Sequence, residues 1–319
     1  MENTDTFVIE ANGLGKAYKG VKVLDGVNLQ VPRHSIYGFL GPNGAGKSTT
    51  IKLLVGLIQP TAGNVSVFGY DVQTHSEEIR KRIGYLAQEP RFYEYMTARQ
   101  ILRYTAKFFY SGPKALIEER VEEMLEMVGL EEKADRPIKG FSGGERQRLG
   151  IAQAQVNYPD LIILDEPAAA LDPMGRYDVL MVMEKLRQQT TIFYSTHILE
   201  DVQRVSDKVA ILDKGSLVAQ APINDLLNGQ STTPIFLLTL KGELGEAYNR
   251  VMDQPWVQQV KTERVNGHVN WEVSVTDADA AEDQLPRLIL EDRSLRIVSF
   301  RRKTYNLEEV FLGLVEGGR

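Results

Sequence analysis

Ile36-Tyr37-Gly38-Phe39-Leu40-Gly41-Pro42-Asn43-Gly44-Ala45-Gly46-Lys47-Ser48-Thr49 joins a short apolar run to a glycine-rich loop. From Gly41 to Ser48 it fits G-x-x-x-x-G-K-[ST], a loop that cradles phosphate. Gly41, Gly44 and Gly46 let the backbone turn tightly and bring several N–H groups close to one anion, with Pro42, Asn43 and Ala45 interleaved. Lys47 can reach the β- and γ-phosphates, and the Ser48 hydroxyl can ligate Mg2+. The apolar run 36–40 suits a buried strand. The stretch 47–57 suits a helix whose N-terminus adds partial positive charge under the phosphates. With strand before and helix after, the loop predicts a chain that binds a nucleoside triphosphate.

Working outward, residues 7–230 read as one α/β unit in which short apolar runs alternate with amphipathic helical stretches, implying a largely parallel core sheet. Candidate core strands are 36–40, 83–86, 161–165, 191–195 and 208–212. A helix-rich insert occupies about 95–157. In it Val121, Met124, Leu125 and Val128 form one apolar helix face, and Gly129 stops that helix. A polar linker, Gly-Gln-Ser-Thr-Thr-Pro, spans 229–234. Beyond it Phe236, Leu238 and Leu240 alternate like a half-buried strand, and a helix is expected at 243–253. Strands at 256–265 and 268–276 flank the hairpin turn Asn266-Gly267, with Trp271, Val273 and Val275 on one face. A helix at 278–291 and a strand at 295–302 complete the order β-α-β-β-α-β, a ferredoxin-like α+β domain over 235–319. Leu307, Val310, Phe311 and Leu314 mark a closing amphipathic helix.

The whole chain sets bounds. Its 319 residues are 43% apolar and 25% charged, as in soluble globular proteins. A net charge of −6 argues against a nucleic-acid scaffold, so no nucleic-acid partner is expected. The absence of cysteine excludes disulfides, thiol catalysis and cysteine-ligated metal. The start Met-Glu-Asn-Thr-Asp-Thr has neither the basic nor the apolar region of a signal peptide. No run approaches the roughly 18 apolar residues of a membrane span. A cytoplasmic protein is expected, with any membrane role acting through a partner.

Leu161-Ile162-Ile163-Leu164-Asp165-Glu166-Pro167 is an apolar strand ending in two acids. Asp165 at its tip is placed to hold Mg2+, directly or through water, and Glu166 can polarise a water for attack on the γ-phosphate. Between this strand and the phosphate loop stands Phe141-Ser142-Gly143-Gly144-Glu145-Arg146-Gln147-Arg148. Alone, Ser-Gly-Gly is a common loop. In this place it resembles the signature motif of the ATP-binding cassette (ABC) ATPases, commonly L-S-G-G-Q, with Phe141 for Leu and Glu145 for Gln. The serine hydroxyl and glycine N–H groups at a helix start suit an anion.

That resemblance covers about 7–230 and implies a P-loop NTPase fold, a RecA-like core plus a helical insert. It also implies roles for further residues. Tyr18 lies where the family stacks an aromatic on adenine, and Thr49 adds a hydroxyl to the α- or β-phosphate. Gln88, in Tyr85-Leu86-Ala87-Gln88-Glu89-Pro90, matches the glutamine that contacts Mg2+ or water and reports nucleotide state to a membrane partner. His197, in Tyr194-Ser195-Thr196-His197, matches the histidine at the γ-phosphate. Ala170-Leu171-Asp172-Pro173 resembles the loop that runs along the dimer interface, with Ala168 replacing the usual small polar residue. Ser142, Gly143, Gly144 and Glu145 would cap ATP held by an opposing subunit. The chain would therefore work as a homodimer, or with a paralogous ABC ATPase, around two ATPs.

A single cassette without a long coiled coil or zinc-binding cysteines is unlike the translation, chromosome-maintenance and excision-repair ATPases of the same class. What remains is the energising subunit of a membrane transporter, peripheral on the inner face of the membrane through integral permease subunits. The phosphate-loop run, Leu171-Asp172-Pro173, Ser195-Thr196-His197-Ile198-Leu199-Glu200-Asp201-Val202 and the ending Asn306-Leu307-Glu308-Glu309-Val310-Phe311-Leu312 resemble the type-2 exporters, which include multidrug and antibiotic-resistance systems. An ATPase working on a non-transport partner, or energising an importer, remains the alternative. The resemblance places the permease helix near Gln88 and 89–100, where Phe92, Tyr93, Tyr95 and Met96 are unusually apolar for a loop. The C-terminal domain, without a catalytic set, is assigned dimer stabilisation or regulation.

Overall fold

The structure, a computed structural model, describes residues 7–227, 234–265, 267–303 and 306–316. Asn266 and residues 229–233 of the expected linker lie outside the described residues, as does the side chain of Leu314. The chain divides into two compact units, the boundary falling between Ile223 and Asn224.

The first unit opens with a long hairpin, β1 (Phe7–Tyr18) and β2 (Val21–Pro32), then β3 (Ile36–Leu40), the phosphate loop and α1 (Lys47–Leu54). β4 (Ala62–Val67), β5 (Tyr70–Asp71), α2 (Ser76–Arg80) and β6 (Ile83–Leu86) follow. Three helices come next, α3 (Ala98–Ala106), α4 (Lys114–Val128) and α5 (Gly143–Gln155). β7 (Leu161–Asp165), α6 (Pro173–Leu186), β8 (Thr191–Thr196), α7 (Leu199–Val205), β9 (Lys208–Asp213) and β10 (Ser216–Pro222) complete the run, and α8 (Ile223–Leu227) spans the boundary. All five expected core strands are present. The helix after the phosphate loop is shorter than expected, because Gly56 at φ +70° ends it before Leu57.

Two sheets share one core. The larger has the order β10-β9-β3-β8-β7-β6, parallel from β9 to β6, with β10 antiparallel at the edge. The smaller is antiparallel, β2-β1-β4-β5. Every residue of β3, β7 and β8 is buried, which is why these strands read as unbroken apolar runs rather than alternations. Phe39, Ile163 and Phe193 of the parallel sheet pack with Ile9, Leu29 and Val65 of the antiparallel one and with Ile51 and Leu54 of α1. This fixes α1, and the loop at its head, against both sheets.

Among the three middle helices, α4 buries Val121, Met124, Leu125 and Val128 as the periodicity predicts, and Gly129 caps it at φ +64°. α3 starts from a capping box of Thr97 and Gln100. α5 packs against α3, α4 and α6.

The second unit contains β11 (Ile235–Lys241), α9 (Ala247–Met252), β12 (Val257–Val265), β13 (His268–Val275), α10 (Ala278–Leu290), β14 (Arg296–Arg302) and α11 (Leu307–Glu316). Its antiparallel sheet has the order β12-β13-β11-β14, the ferredoxin-like arrangement. The inward residues Phe236, Leu238, Leu240, Trp271, Val273 and Val275 form its core with Val251, Leu285 and Ile289. The helix expected at 243–253 starts late, because Gly242 and Gly245 hold positive φ of 124° and 47°. Among the described residues no helix is long and apolar enough to cross a membrane.

Candidate active site

Parallel pairing brings the chemistry together. β3, β7 and β8 end at one edge of the sheet, with Leu40 opposite Thr196 and Asp165 opposite Ser195. The segments leaving those ends are the phosphate loop, the Asp165-Glu166 pair and His197. A crevice beyond the carboxyl ends of parallel strands is where α/β sheets bind ligands. The Gly41 N–H donates to the Thr196 carbonyl at 3.2 Å, fastening the loop to the end of β8.

The loop itself needs its glycines. Gly46 sits at φ +110°, and a methyl there would come within 2.7 Å of Leu24 Cδ2 and 3.0 Å of the Val23 carbonyl. It is also the N-cap of α1, and no side chain caps that helix. Its first N–H groups are therefore left to a ligand or solvent.

Lys47 is buried, and its ammonium donates to the Gly41 carbonyl at 2.7 Å and the Pro42 carbonyl at 3.2 Å. The same Nζ lies 3.0 Å from Glu166 Oε1, with both side chains 5% exposed. The other oxygen of Glu166 is 2.8 Å from His197 Nδ1. Glu166 thus stands between a lysine and a histidine, on a backbone at φ +51°. Its N–H donates to Ser195 Oγ at 2.9 Å. Asp165 Oδ1 accepts from Ser195 Oγ at 2.6 Å and from Ser48 Oγ at 3.2 Å. One serine at the tip of β8 therefore holds the Asp165 carboxylate and the backbone of Glu166.

A cleft of about 390 Å3 opens above this cluster, lined by Val23, Asn43, Gly44, Gly46, Lys47, Ser48, Thr49, Gln88 and Glu166. Gln88 faces it, and its carbonyl accepts from Gln147 Nε2 of α5 at 3.2 Å. Tyr18 is not among the lining residues. Its ring is 45% exposed at the tip of the β1–β2 hairpin, with Lys16 Nζ 5.0 Å from its centroid. The second strand of that hairpin brings Val23 to the cleft wall.

Residues 142–145 do not line this cleft. Ser142 is the exposed N-cap of α5, with Glu145 N–H donating to its Oγ at 3.2 Å and its own N–H donating to Glu145 Oε2 at 2.8 Å. Glu145, expected among the nucleotide contacts, is buried with its carboxylate turned back into this capping box and paired with Lys133. Burial opposes its charge, but the bonds from Lys133 and Ser142 hold its pKa below the ordinary glutamate value. Asp172, expected at the dimer interface, caps α6, accepting from the Gly175 N–H at 3.1 Å.

Sequence reasoning passed over Ser195, Gln147 and Val23 as site residues. Ser195 had a local signal, a hydroxyl at the tip of a buried strand two residues before His197. Gln147 and Val23 had none, since each meets the site only through tertiary contacts.

A phosphate loop, two acids at a strand tip and a histidine over a parallel sheet define an ABC-type ATPase. The chain matches the ABC transporter family over residues 24–169. It is 36% identical to the uncharacterized ABC transporter ATP-binding protein YxlF of Bacillus subtilis, over 97% of this chain and 99% of that one. It is 34% identical to the bacitracin transport ATP-binding protein BcrA of Bacillus licheniformis, over 98% of each. It is 38% identical to the daunorubicin/doxorubicin resistance ATP-binding protein DrrA of Streptomyces peucetius, over 71% of this chain and 68% of that one. Among solved structures it resembles the ATP-binding cassette MJ0796, dimeric in a post-hydrolysis state with ADP and Pi. That match has a TM-score of 0.61 and 26% identity, over 67% of this chain and 98% of that one. An ATP-binding subunit of an ABC transporter matches with a TM-score of 0.62 and 32% identity, over 70% and 93%. The chain belongs to the ABC transporter ATP-binding proteins: it is an ATP-binding ABC ATPase, the nucleotide-binding subunit of a transporter.

Proposed function

We propose that two copies of this chain, or one copy and a paralogue, close head-to-tail around two ATPs and drive export through a separate membrane permease. One observation carries this reading. The exposed Ser142 turn contributes nothing to the cleft that Lys47, Ser48 and Glu166 line, so its anion-binding groups suit a nucleotide held by another subunit.

In this reading the phosphates meet the N-terminal N–H groups of α1 and the Lys47 ammonium, which exchanges its loop-carbonyl partners for phosphate oxygens. The Glu166 carboxylate takes a proton from water as the water oxygen bonds to the γ-phosphorus. The bond to the bridging oxygen breaks, leaving ADP and inorganic phosphate. His197 steadies the γ-phosphate and the Glu166 carboxylate together. The Ser48 hydroxyl and the Asp165 carboxylate meet at 3.2 Å and Gln88 faces the same cleft, a small set of oxygen donors that suits Mg2+, an ion that keeps waters and phosphate oxygens. Ser48, Asp165 and Gln88 would hold it, and when bound it neutralises charge on the β- and γ-phosphates. Thr49 and the Tyr18 ring complete the nucleotide contacts.

Export is favoured over import because relatives aligned over most of this chain carry the names of bacitracin transport and of drug resistance. The permease would seat a short helix against Tyr93, Tyr95, Met96, Gln100 and Tyr104, which border a concavity of about 570 Å3. Tyr95 is 79% exposed, and so large an exposed aromatic surface suits a partner. The subunit would then sit on the inner membrane face. The C-terminal unit lies within the length shared with YxlF and is assigned dimer stabilisation or regulation.

The test uses Glu166→Gln with ATP, Mg2+ and the co-purified membrane partner. A nucleotide-dependent dimer is expected by light scattering, with cross-links from Tyr95 to the partner. A protein that stays monomeric, or couples only through the C-terminal unit, would overturn the proposal.

A further inference from the structure

We propose that Arg176 is a positioning residue for the candidate active site: from the first turn of α6 it holds the first turn of α7, and with it His197, in place. The inference rests on the ATPase reading of that site.

α7 begins two residues after His197, spans only Leu199–Val205, and has no side chain capping its N-terminus. A helix so short has little stability of its own and needs an external hold. Asp201 provides the attachment point. It is 1% exposed, and its Oδ1 accepts from Arg176 Nε at 2.5 Å. The same guanidinium donates from Nη2 to Glu200 at 3.1 Å, so one planar fork grips both acids of the first turn of α7. Burial pushes the Asp201 carboxyl above its ordinary pKa and Arg176 opposes that, while Glu200 raises it and His197 lowers it. Further along the seam, the Arg204 guanidinium lies 4.5 Å from the Tyr177 ring centroid.

The turn of α6 that carries Arg176 also carries the attachment of the Ser142 turn. A methyl on Gly144 would come within 3.2 Å of the Gly175 Cα, so α5 and α6 meet backbone to backbone. Asp172 caps the same turn, and the Arg148–Asp178 pair repeats the α5–α6 tie further along α6. Residues 172–176 therefore touch both the helix behind Ser142 and the helix behind His197. An apolar pair of similar volume would hold α6 to α7 equally well or better in energy. What such a pair lacks is direction, and the guanidinium fork supplies it.

The experiment measures ATP hydrolysis and thermal melting of the full chain with Arg176→Lys, Arg176→Met, and Arg176→Met combined with Asp201→Leu. Arg176→Met is expected to lower kcat about 10- to 100-fold while KM for ATP stays within about threefold, since misplacement of a reacting group acts on the transition state. Arg176→Lys should fall between this variant and the parent. The double variant should recover the melting temperature and not kcat. If Arg176→Met does not fold, the other two carry the test. A kcat within about twofold of the parent, a rise in KM alone, or a double variant that regains both kcat and Tm would overturn the inference. Glu166→Gln is assayed alongside. If it hydrolyses ATP like the parent, the reading of the site itself fails. If it is inactive while the Arg176 variants are normal, only the positioning role falls.

Discussion

In the unit that carries the phosphate loop, Lys47, Glu145, Asp165, Glu166 and Asp201 are all buried; in the C-terminal unit the buried set is Phe236, Leu238, Trp271, Val273 and their apolar neighbours, with no charged side chain among the described residues. Backbone strain divides the same way. Among the described residues, those other than glycine at positive φ, Glu166 among them, all precede Ile223. Burying an ion costs several kcal/mol unless it is paired and hydrogen-bonded, and a left-handed non-glycine residue costs about 1 kcal/mol more. Where three strands of the first unit end together, Glu166 bears both costs, and the charges there are partnered: Lys47 with Glu166, Glu166 with His197, Asp165 with Ser48 and Ser195. The second unit reaches a stable core by alternation alone.

This contrast can be broken by substitution. The largest effect is expected from Glu166→Gln, which should lower ATP turnover by roughly 10²–10⁴-fold while leaving ATP binding intact, as loss of a general base does. Steady-state turnover and a nucleotide titration check both halves of that statement. Trp271→Ala should destabilise the C-terminal unit by about 3–5 kcal/mol, since the indole is 1% exposed in its core. ATP affinity should not change, and a variant that loses nucleotide binding in the same titration would show the two halves to be interdependent. Lys47→Ala should weaken ATP binding about 10- to 100-fold, through loss of charge-assisted contacts to phosphate. Unchanged affinity would remove Lys47 from the site.

The smallest change sharpens the comparison at the signature turn. Glu145→Gln keeps the capping box and loses only the charge facing Lys133, which is 44% exposed, so the cost should be about 1 kcal/mol or less. The Glu145 pKa lies below its ordinary value of 4.5, because the bonds from Lys133 and Ser142 outweigh burial. Its contribution is present above the unfolded pKa and is lost as the pH falls through the folded one. The difference in melting temperature between parent and variant should be open at neutral pH and close as the pH drops below 4.5. A difference that widens in acid would mean the carboxylate is not held as its ionised form.

Where local pattern carried the information, sequence reading was enough. Five strands were legible because buried parallel strands are unbroken apolar runs. The ferredoxin-like order was legible because half-buried antiparallel strands alternate. The errors at 243–253 and at Leu57 came from glycines at positive φ, whose conformation depends on the packing of the chain around them. Glu145 and Asp172 also cap helices within their own chain, a role that the signature and interface motifs do not announce by themselves. Ser195, Gln147 and Arg176 went unread because each acts on a residue distant in the chain.

The kind of chemistry and the class of fold are written in short-range patterns that need few neighbours to be understood: the phosphate loop, the Asp165-Glu166 pair and the strand periodicities. Which groups face each other is a matter of long-range packing. The register of β3, β7 and β8 sets Glu166 between Lys47 and His197, and the seam of α6 and α7 pairs Arg176 with Asp201. Such pairings depend on strand register and helix packing, which are settled cooperatively by the whole core.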